Sequence, residues 1–332
     1  MKKVAIFGAE VRVEEVYPRF IRNKLAAMAD LYGQIVTKDA LGEHLGRLAD
    51  VEAVFGTWGM PPLKPEQVAA MPRLRAVFYG AGSVHAFAAP LLEREILLVS
   101  AWKANATPVA QYTMAQVLLA AKGYFHNIRD CRIFREDRAK VFVGDGLFAG
   151  MPLAVLGAGA VGREVIRLLK PFNIDIVVFD PFMTGQQAAE LGVRKIATLE
   201  EAFSQCCIVS NHLADKPQTV GMINGALLSK LPPKATFINT GRGATVVEAD
   251  LAAVMKARPD LTALLDVTEP EPALAGNPLY DLPNVYISNH IAGALNKERS
   301  GLGQFMVDQF ANWQAGRPID GQVRKEMLAT LA

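Results

Sequence analysis

The sequence contains few cysteines, and their placement excludes the two common structural uses of this residue. Of the 332 residues only three are cysteine: Cys131, Cys206 and Cys207. None has the paired spacing of a zinc site, and adjacent cysteines rarely form a disulfide with each other. We therefore expect a reducing, cytoplasmic environment and no structural metal.

Net charge is also low. The chain has 35 Lys and Arg against 33 Asp and Glu, a net charge of +2, too little for a protein whose main task is to bind phosphate backbones. The most basic segment, residues 129–140, also carries three acids and is typical of a solvated helix face. The hydrophobic content of 51% excludes wholesale disorder. We expect no nucleic-acid partner.

Long apolar runs are missing as well. The first residues offer only Val4 to Phe7 as an apolar run, much shorter than the core of a signal peptide. The longest uncharged stretches, residues 104–121 and 146–162, are interrupted by polar residues, proline or glycines, so neither has the pattern of a membrane span. We expect neither export nor a membrane partner.

The apolar runs that are present are short, with room for a helix between them. They cover residues 4–7, 53–55, 75–79 and 96–99, with a helix expected over 16–28 and another strand near 33–36. After a long helix-like stretch over 105–121, the runs resume at 153–156, 174–179, 208–211, 235–239 and 261–265. Because parallel strands need crossover connections, we predict two parallel sheets covered by helices. An amphipathic stretch over 302–313 is expected to pack back on the first domain.

A glycine-rich loop follows the first strand of the second set. Its residues are Gly157, Ala158, Gly159, Ala160, Val161 and Gly162. The next strand ends in Asp180, 18 residues beyond Gly162. This order of strand, loop, helix, strand and acid is the dinucleotide-binding pattern, in which the loop and helix start receive the pyrophosphate. Asp180 is expected to bind the adenosine ribose and to repel a 2′-phosphate, which favours NAD over NADP. The alternative is a glycine turn that only packs tightly.

Three further strand ends carry polar residues, at the edge where a doubly wound sheet places its ligands. They lead into Arg242, into Asp266 with Glu271 shortly after it, and into His290. A guanidinium is always charged and presents two parallel donors to a carboxylate. A histidine beside a carboxylate is suited to proton transfer near neutral pH.

At this point the sequence resembles the NAD-dependent D-2-hydroxyacid dehydrogenase family over almost its whole length. The resemblance is carried by the glycine loop, by the segments at 239–243, 265–267, 271–272, 278–279 and 282–285, and by His290 to Gly293. It implies a flavodoxin-like substrate domain of residues 1–103 plus 295–332, and an inserted Rossmann NAD-binding domain of residues 104–294.

The resemblance also implies roles for individual residues. Arg242 would bind the substrate carboxylate, and the Glu271–His290 pair would act as proton relay. Further contacts to NAD would come from His212, Thr219, Thr240, Asp266 and Gly293. Apart from the resemblance, the glycine-rich turn at a strand end leaves the backbone amides of Ala81, Gly82 and Ser83 free to bind the carboxylate of a small 2-hydroxy or 2-oxo acid. Trp58, in a loop of the first domain, would favour an apolar or aromatic substrate side chain; the alternative is that it packs internally. Relatives are typically homodimers through the cofactor domain, with residues 124–148 as the expected arm.

The alternatives left open concern function and substrate. A regulatory protein of the same fold, similar to the C-terminal binding protein corepressors, would use NAD as a conformational ligand without significant turnover. A formate dehydrogenase is disfavoured because those relatives carry Gln where Glu271 stands. The segment Ser100 to Lys103 departs from the Asn-x-Pro-Gly common in relatives, and the sequence does not identify the hydroxy acid.

Overall fold

A computed structural model describes residues 1–141, 144, 146 and 150–329. Contacts between residues divide the chain into two compact units. Unit 1 comprises Met1–Asn105 and Ala294–Ala332, and unit 2 comprises Ala106–Gly293. The second unit is thus an insertion in the first.

Unit 1 contains a six-stranded sheet of order β13-β5-β4-β3-β1-β2, parallel except for the edge strand β13. Its strands are β1 (Lys3–Phe7), β2 (Asp30–Val36), β3 (Ala53–Gly56), β4 (Ala76–Tyr79), β5 (Leu97–Ser100) and β13 (Gln322–Val323). Its helices are α1 (Glu10–Val16), α2 (Arg19–Met28), α3 (Leu41–His44), α4 (Pro65–Ala69), α5 (Ala88–Glu93), the first residues of α6 (Trp102–Ala121), and α13 (Lys297–Gln314). The order of β1 to β5 is that of the flavodoxin-like sheet.

The core of unit 1 explains why its C-terminal helix returns to it. Phe55 and Phe78 stack with ring centroids 5.3 Å apart, and Phe310 of α13 meets both rings edge-on. Leu302 and Met306 of the same helix are buried in this cluster. The apolar stripe predicted over 302–313 therefore covers one face of the sheet.

The helix expected over residues 16–28 is confirmed from Arg19 to Met28, but its predicted start is wrong. The chain forms two helices instead, with α1 ending at Val16 and Pro18 capping the start of α2. Proline disfavours helical backbone in the residue before it, and Tyr17 accordingly leaves the helix at φ −118° and ψ 61°. The apolar spacing continues across the break because both helices bury one face, through Val13 and Val16 and then Ile21 and Leu25.

Unit 2 contains a seven-stranded sheet of order β12-β11-β10-β9-β6-β7-β8, parallel throughout. Its strands are β6 (Met151–Leu156), β7 (Ile174–Phe179), β8 (Arg194–Lys195), β9 (Ile208–Asn211), β10 (Thr236–Asn239), β11 (Thr262–Leu265) and β12 (Val285–Ile287). Its helices are the rest of α6, then α7 (Tyr124–Phe134), α8 (Ala160–Leu169), α9 (Gly185–Leu191), α10 (Leu199–Gln205), α11 (Gly225–Leu228) and α12 (Glu248–Ala257). The order reverses direction between β6 and β9, as in the Rossmann fold.

The predicted fold class, two doubly wound parallel-sheet domains, is confirmed. Both faces of the unit 2 sheet are covered, since separate buried clusters lie on its two sides. A strand that is buried on both faces needs apolar side chains along most of its length. Polar side chains are therefore found at the carboxyl ends of these strands. No helix in the described part of the chain combines the length and apolar character needed to cross a membrane.

Candidate active site

The glycine loop joins β6 to α8, and each of its three glycines has a distinct environment. Gly157 has φ +88°, a left-handed conformation that favours glycine. A Cβ at Gly162 would lie 2.0 Å from the carbonyl oxygen of Gly157, so only glycine lets helix and loop approach this closely. A Cβ at Gly159 would have no described atom within 4 Å. The space beside Gly159 is therefore open to a ligand.

The start of α8 is suited to an anion. Gly159 is the N-cap residue, and among the described residues no side chain caps the first helical N–H groups. Ala160 and Val161 form the first turn, where unpaired N–H groups carry partial positive charge. A pyrophosphate fits this combination of free donors and open space.

Asp180 lies directly after β7 and folds over the glycine loop. One carboxylate oxygen accepts a hydrogen bond from the N–H of Ala158 at 2.7 Å, and the other accepts from the N–H of Phe182 at 2.8 Å. A carboxylate has about four acceptor positions. Asp180 thus closes the loop and keeps acceptor capacity for ribose hydroxyls.

The strands β10, β11 and β12 are neighbours in the sheet, and their carboxyl ends carry the other predicted groups. Arg242 follows β10, Asp266 follows β11, and His290 follows β12. A Cβ at Gly243 would lie 2.1 Å from the carbonyl carbon and oxygen of Thr268. The backbone after Arg242 therefore touches the backbone that leads to Glu271.

Arg242 is half-buried, and its main chain is firmly held. Its carbonyl oxygen accepts from the side chains of Thr245 at 2.7 Å and Asn239 at 3.2 Å. Its guanidinium donates to the carbonyl of Gly241 at 2.7 Å. No other described residue accepts from this guanidinium, so its remaining donors suit a planar anion.

Glu271 and His290 form a direct pair. The Nδ1 atom of His290 lies 2.5 Å from Oε1 of Glu271, and the side chains are 46% and 35% exposed, respectively. Because Nδ1 faces the carboxylate, Nε2 is the ring nitrogen left for a substrate. His290 has φ +49°, a conformation that is uncommon for residues other than glycine and that its surroundings must hold.

Asp266 supplies that support. It is 1% exposed, and its carboxylate accepts from the N–H of Ile291 at 2.9 Å and of Ala292 at 2.9 Å. The N–H of His290 donates to the carbonyl oxygen of Asp266 at 2.9 Å. Asp266 therefore fixes three successive peptide groups around the histidine. Its predicted contact with nicotinamide remains a prediction.

Two hydroxyl groups near the Asp266 carboxylate were not predicted from the sequence. Ser288 donates to the Asp266 carboxylate at 2.6 Å, and the Tyr112 hydroxyl lies 2.8 Å from the Ser288 hydroxyl. Burial raises the pKa of Tyr112, so the phenol stays neutral. Ser288 could have been found from its place at the end of β12, whereas nothing in the sequence of α6 distinguishes Tyr112.

His212 occupies a different position from His290, beyond the end of β9. Its two ring nitrogens lie 2.9 Å from the Ser210 hydroxyl and 3.2 Å from the Thr240 hydroxyl. Burial lowers the pKa of His212 to about 3. The imidazole is therefore neutral at physiological pH and serves as a hydrogen-bonding group, while Thr240 also contacts Thr113 at 3.0 Å.

The remaining predicted cofactor residues have less specific surroundings. The Thr219 hydroxyl bonds within its own loop, at 2.5 Å from the carbonyl oxygen of Ala214. Gly293 is half-buried and is the last residue of unit 2. Neither position tests the predicted contact with NAD.

In unit 1, three of the predicted substrate residues form the turn that follows β4. The Ser100 hydroxyl lies 2.8 Å from the carbonyl oxygen of Ala81 and 2.7 Å from that of Gly82, which fixes the turn after β4. The N–H groups of residues 81–83, the last of them Ser83, donate no hydrogen bond to any residue that the structure describes. Free donors at a strand end suit a carboxylate.

Trp58 and Lys103 already have partners in unit 1. The Trp58 ring is half-buried and lies beneath the Arg299 guanidinium, 5.6 Å from its centroid. The Lys103 ammonium lies 2.5 Å from the Asp320 carboxylate. Lys103, which departs from the sequence common in relatives, therefore forms an exposed ion pair within the unit.

Comparison with known families agrees with this geometry. The model of the D-isomer specific 2-hydroxyacid dehydrogenase NAD binding domain matches residues 115–292, more than half of the 332-residue chain. The chain belongs to this family. The match lies within unit 2, which is therefore the NAD-binding domain of the family, and NAD is its cofactor.

Among curated proteins, the chain is similar to enzymes of more than one specificity. It is 29% identical to the D-3-phosphoglycerate dehydrogenase of Archaeoglobus fulgidus over 231 residues, which cover 70% of this chain and 43% of the relative. It is 29% identical to the formate dehydrogenase of Neurospora crassa over 272 residues, 78% of this chain and 72% of the relative. The chain spans about half the length of the curated phosphoglycerate dehydrogenases that it matches.

Solved structures of the family share the fold of the whole chain. The apo D-mandelate dehydrogenase of Rhodotorula graminis superimposes with a TM-score of 0.80 at 19% identity, and the match covers 98% of both chains. A phosphoglycerate oxidoreductase from Rhizobium etli gives a TM-score of 0.78 at 24% identity, covering 97% of this chain and 98% of the other. At these identities the likeness establishes the fold alone.

Proposed function

We propose that the protein is an NAD-dependent D-2-hydroxyacid dehydrogenase that acts mainly as a 2-oxo acid reductase. The observation that carries this proposal is the contact between His290 and Glu271 at the carboxyl edge of an NAD-binding sheet. NAD(H), when bound, supplies or accepts the hydride. The other requirements are an anchor for the carboxylate and a group that moves one proton, and Arg242 and His290 are suited to these tasks.

His290 is the acid of the reduction. As hydride reaches C2 of the oxo acid, the carbonyl π bond breaks and its oxygen takes the proton from Nε2 of His290, which gives the hydroxyl group. Glu271 contacts Nδ1 and so holds the ring with Nε2 free for the substrate. In the reverse direction, neutral His290 accepts the hydroxyl proton.

Arg242 binds the carboxylate of the substrate and polarises its keto group. The free guanidinium donors and the firmly held backbone of Arg242 support this role. The unpaired N–H groups of Ala81, Gly82 and Ser83 are proposed as additional donors to the carboxylate. Trp58 is proposed to favour an apolar or aromatic substituent on C3.

Within unit 2, NAD is proposed to bind along the glycine loop with its ribose at Asp180. The open space at Gly159 and the free helix start receive the pyrophosphate. The carboxylate of Asp180 disfavours a 2′-phosphate by charge repulsion, so NADH is the expected reductant. His212 and Thr240 contribute hydrogen-bonding groups that do not change charge near neutral pH.

Turnover of NADH with a panel of 2-oxo acids tests the proposal. Purified protein is mixed with NADH or NADPH and glyoxylate, hydroxypyruvate, pyruvate, phenylpyruvate or a larger 2-oxo acid, and the loss of absorbance at the NADH band is followed. We expect turnover of at least one acid with NADH. Formate with NAD⁺ serves as the comparison for the similarity to formate dehydrogenase.

Variants of the proposed pair make this test specific. Glu271→Gln should change the pH profile of reduction, because it removes the carboxylate that contacts Nδ1 of His290; an unchanged profile would contradict the proposed pairing. Glu269→Gln, two residues away in the same exposed segment, is the matched control. Tight NADH binding without turnover of any acid would instead favour a regulatory protein that uses NAD as a conformational ligand.

A homodimer formed through unit 2 is part of the proposal. Within α7 the side chains of Tyr124 and Ile133 are 44% and 62% exposed, and a second copy that packs on this helix would bury one or both of them. The predicted arm, residues 124–148, extends partly outside the described residues. A mass near 36 kDa in gel filtration would contradict the dimer.

A further inference from the structure

Glu271 stands in a segment that has little burial of its own. Between β11 and the turn at Pro278–Asp281, residues 269–276 are almost all exposed, with the Leu274 side chain at 67%. Exposed segments with little buried apolar surface open locally at low free-energy cost. Hydrogen bonds to this segment therefore help to keep the carboxylate of Glu271 within bonding distance of His290.

One carboxylate outside the segment makes two such bonds. Glu248, the first residue of α12, accepts from the N–H of Glu269 at 2.6 Å with Oε1 and from the side-chain amide of Asn277 at 2.8 Å with Oε2. The two donors lie on either side of Glu271. In the described part of the chain, the two hydrogen-bond partners of the Glu248 side chain are the first residue of this segment and the residue that directly follows it.

The base of the segment is fixed from the same direction. The backbone at Gly243 presses against Thr268, where a Cβ would come within 2.1 Å. The Thr268 hydroxyl donates to the carbonyl oxygen of Pro270 at 2.9 Å. With Thr268 immobilised, the bonds of Glu248 determine the course of the chain through Glu271.

We infer that Glu248 is a positioning residue that holds Glu271 against His290. This inference rests on the proposed function for its catalytic meaning, but the contact itself is independent of turnover. Glu248 does not touch the imidazole; it acts through the backbone of residue 269 and the side chain of Asn277.

The experiment records the imidazole ¹H and ¹⁵N signals of His290 by NMR in the full-length protein without substrate, with His290→Asn to assign the signals. Among the described residues, the Glu271 carboxylate contacts Nδ1 of the ring and the Asp266 carboxylate binds the peptide groups after it. Glu248→Ala should move the Nδ1 signals in the same direction as Glu271→Gln does, because the carboxylate no longer lies against Nδ1. In a Glu271→Gln background, Glu248→Ala should have no further effect.

Asp250→Ala is the matched control. Asp250 lies in the same first turn of α12, but its carboxylate accepts from the N–H of Gly225, at 2.8 Å, in a different part of the unit. This variant should leave the His290 ring signals at their wild-type positions. Glu248→Gln keeps the side-chain size and one acceptor oxygen, so it should give an intermediate shift and replaces Glu248→Ala if that variant fails to fold.

Kinetics provide the second readout. Glu248→Ala should lower kcat for 2-oxo acid reduction by about ten-fold to a hundred-fold, the range for small misplacement of a reacting group, with the Kd for NADH unchanged within about two-fold. His290 ring signals at their wild-type positions in Glu248→Ala or Glu248→Gln would overturn the inference. Absence of turnover in the wild type would overturn the proposed function and leave the NMR comparison decisive for Glu248.

Discussion

Acidification should destabilise unit 2 through His212 in particular. Burial lowers the pKa of His212 to about 3 in the folded protein, against a value near 6.5 in an unfolded chain. Below about pH 6.5 the unfolded chain therefore binds a proton that the folded chain does not. The stability contribution is complete above pH 6.5 and is lost as the pH falls toward 3.

The size of the effect follows from the linkage between protonation and folding. One proton bound only by the unfolded state costs about 1.4 kcal/mol of stability per pH unit. Between pH 7 and pH 5 the contribution of His212 to the free energy of unfolding should fall by about 2 kcal/mol. Burial also lowers the pKa of His126. Its contribution to the free energy of unfolding should therefore fall on acidification as well.

Hydrogen exchange in β9 and β10 measures this quantity for unit 2 alone. All three tryptophans, Trp58, Trp102 and Trp313, lie in unit 1, so tryptophan fluorescence is insensitive to the region in question. Wild type is compared with His212→Gln at pH 7 and pH 5. For each protein, the change in protection between the two pH values is taken, which removes any pH-independent cost of the substitution. The contribution of His126 is the same in both proteins and cancels when the two changes are subtracted.

We expect the wild type to lose about 2 kcal/mol more protection than His212→Gln between the two pH values. The exposed His85 provides a control for removing a histidine, and His85→Gln should behave like the wild type. If wild type and His212→Gln lost equal protection, the interpretation of His212 as a desolvated, neutral group would be wrong.

Three further predictions concern other parts of unit 2. Gly162→Ala should destabilise the unit by about 1–3 kcal/mol, because its methyl group has no space; Gly159→Ala should fold normally and weaken NADH binding in a fluorescence titration. Asp180→Ala should raise the affinity for NADPH relative to NADH by at least about ten-fold, and an unchanged ratio would contradict its role at the ribose. Ser288→Ala should cost about 1–3 kcal/mol in urea unfolding, because the buried Asp266 carboxylate loses a donor; unaltered stability would show that water replaces the hydroxyl.

Much of the fold was predictable from local patterns. Strands buried on both faces appear as short apolar runs, and residues 174–179 and 208–211 were located to the residue because polar or glycine-containing segments flank them. The two-residue strands β8 and β13 were missed, since Arg194 to Lys195 and Gln322 to Val323 have no apolar run to reveal them. Pairing with a neighbouring strand alone defines them.

The site was predictable in its charged groups and less so in its supports. The glycine loop, Arg242 and His290 stand in motifs whose spacing carries information. Glu248 and Tyr112 bind residues that are distant in sequence, 21 residues away at Glu269 and 176 away at Ser288. No local pattern encodes such partners, so they became visible only in three dimensions.

The contact between Gly243 and Thr268 has a consequence for protein engineering. No side chain separates these two backbones, so the segment that carries Arg242 and the segment that carries Glu271 must fit each other closely. Replacing one segment with that of a relative, without the other, would disturb the backbone contact between Gly243 and Thr268. Chimaeras intended to change specificity should exchange residues 239–248 and 266–277 together, and leave the junctions at the buried strand ends.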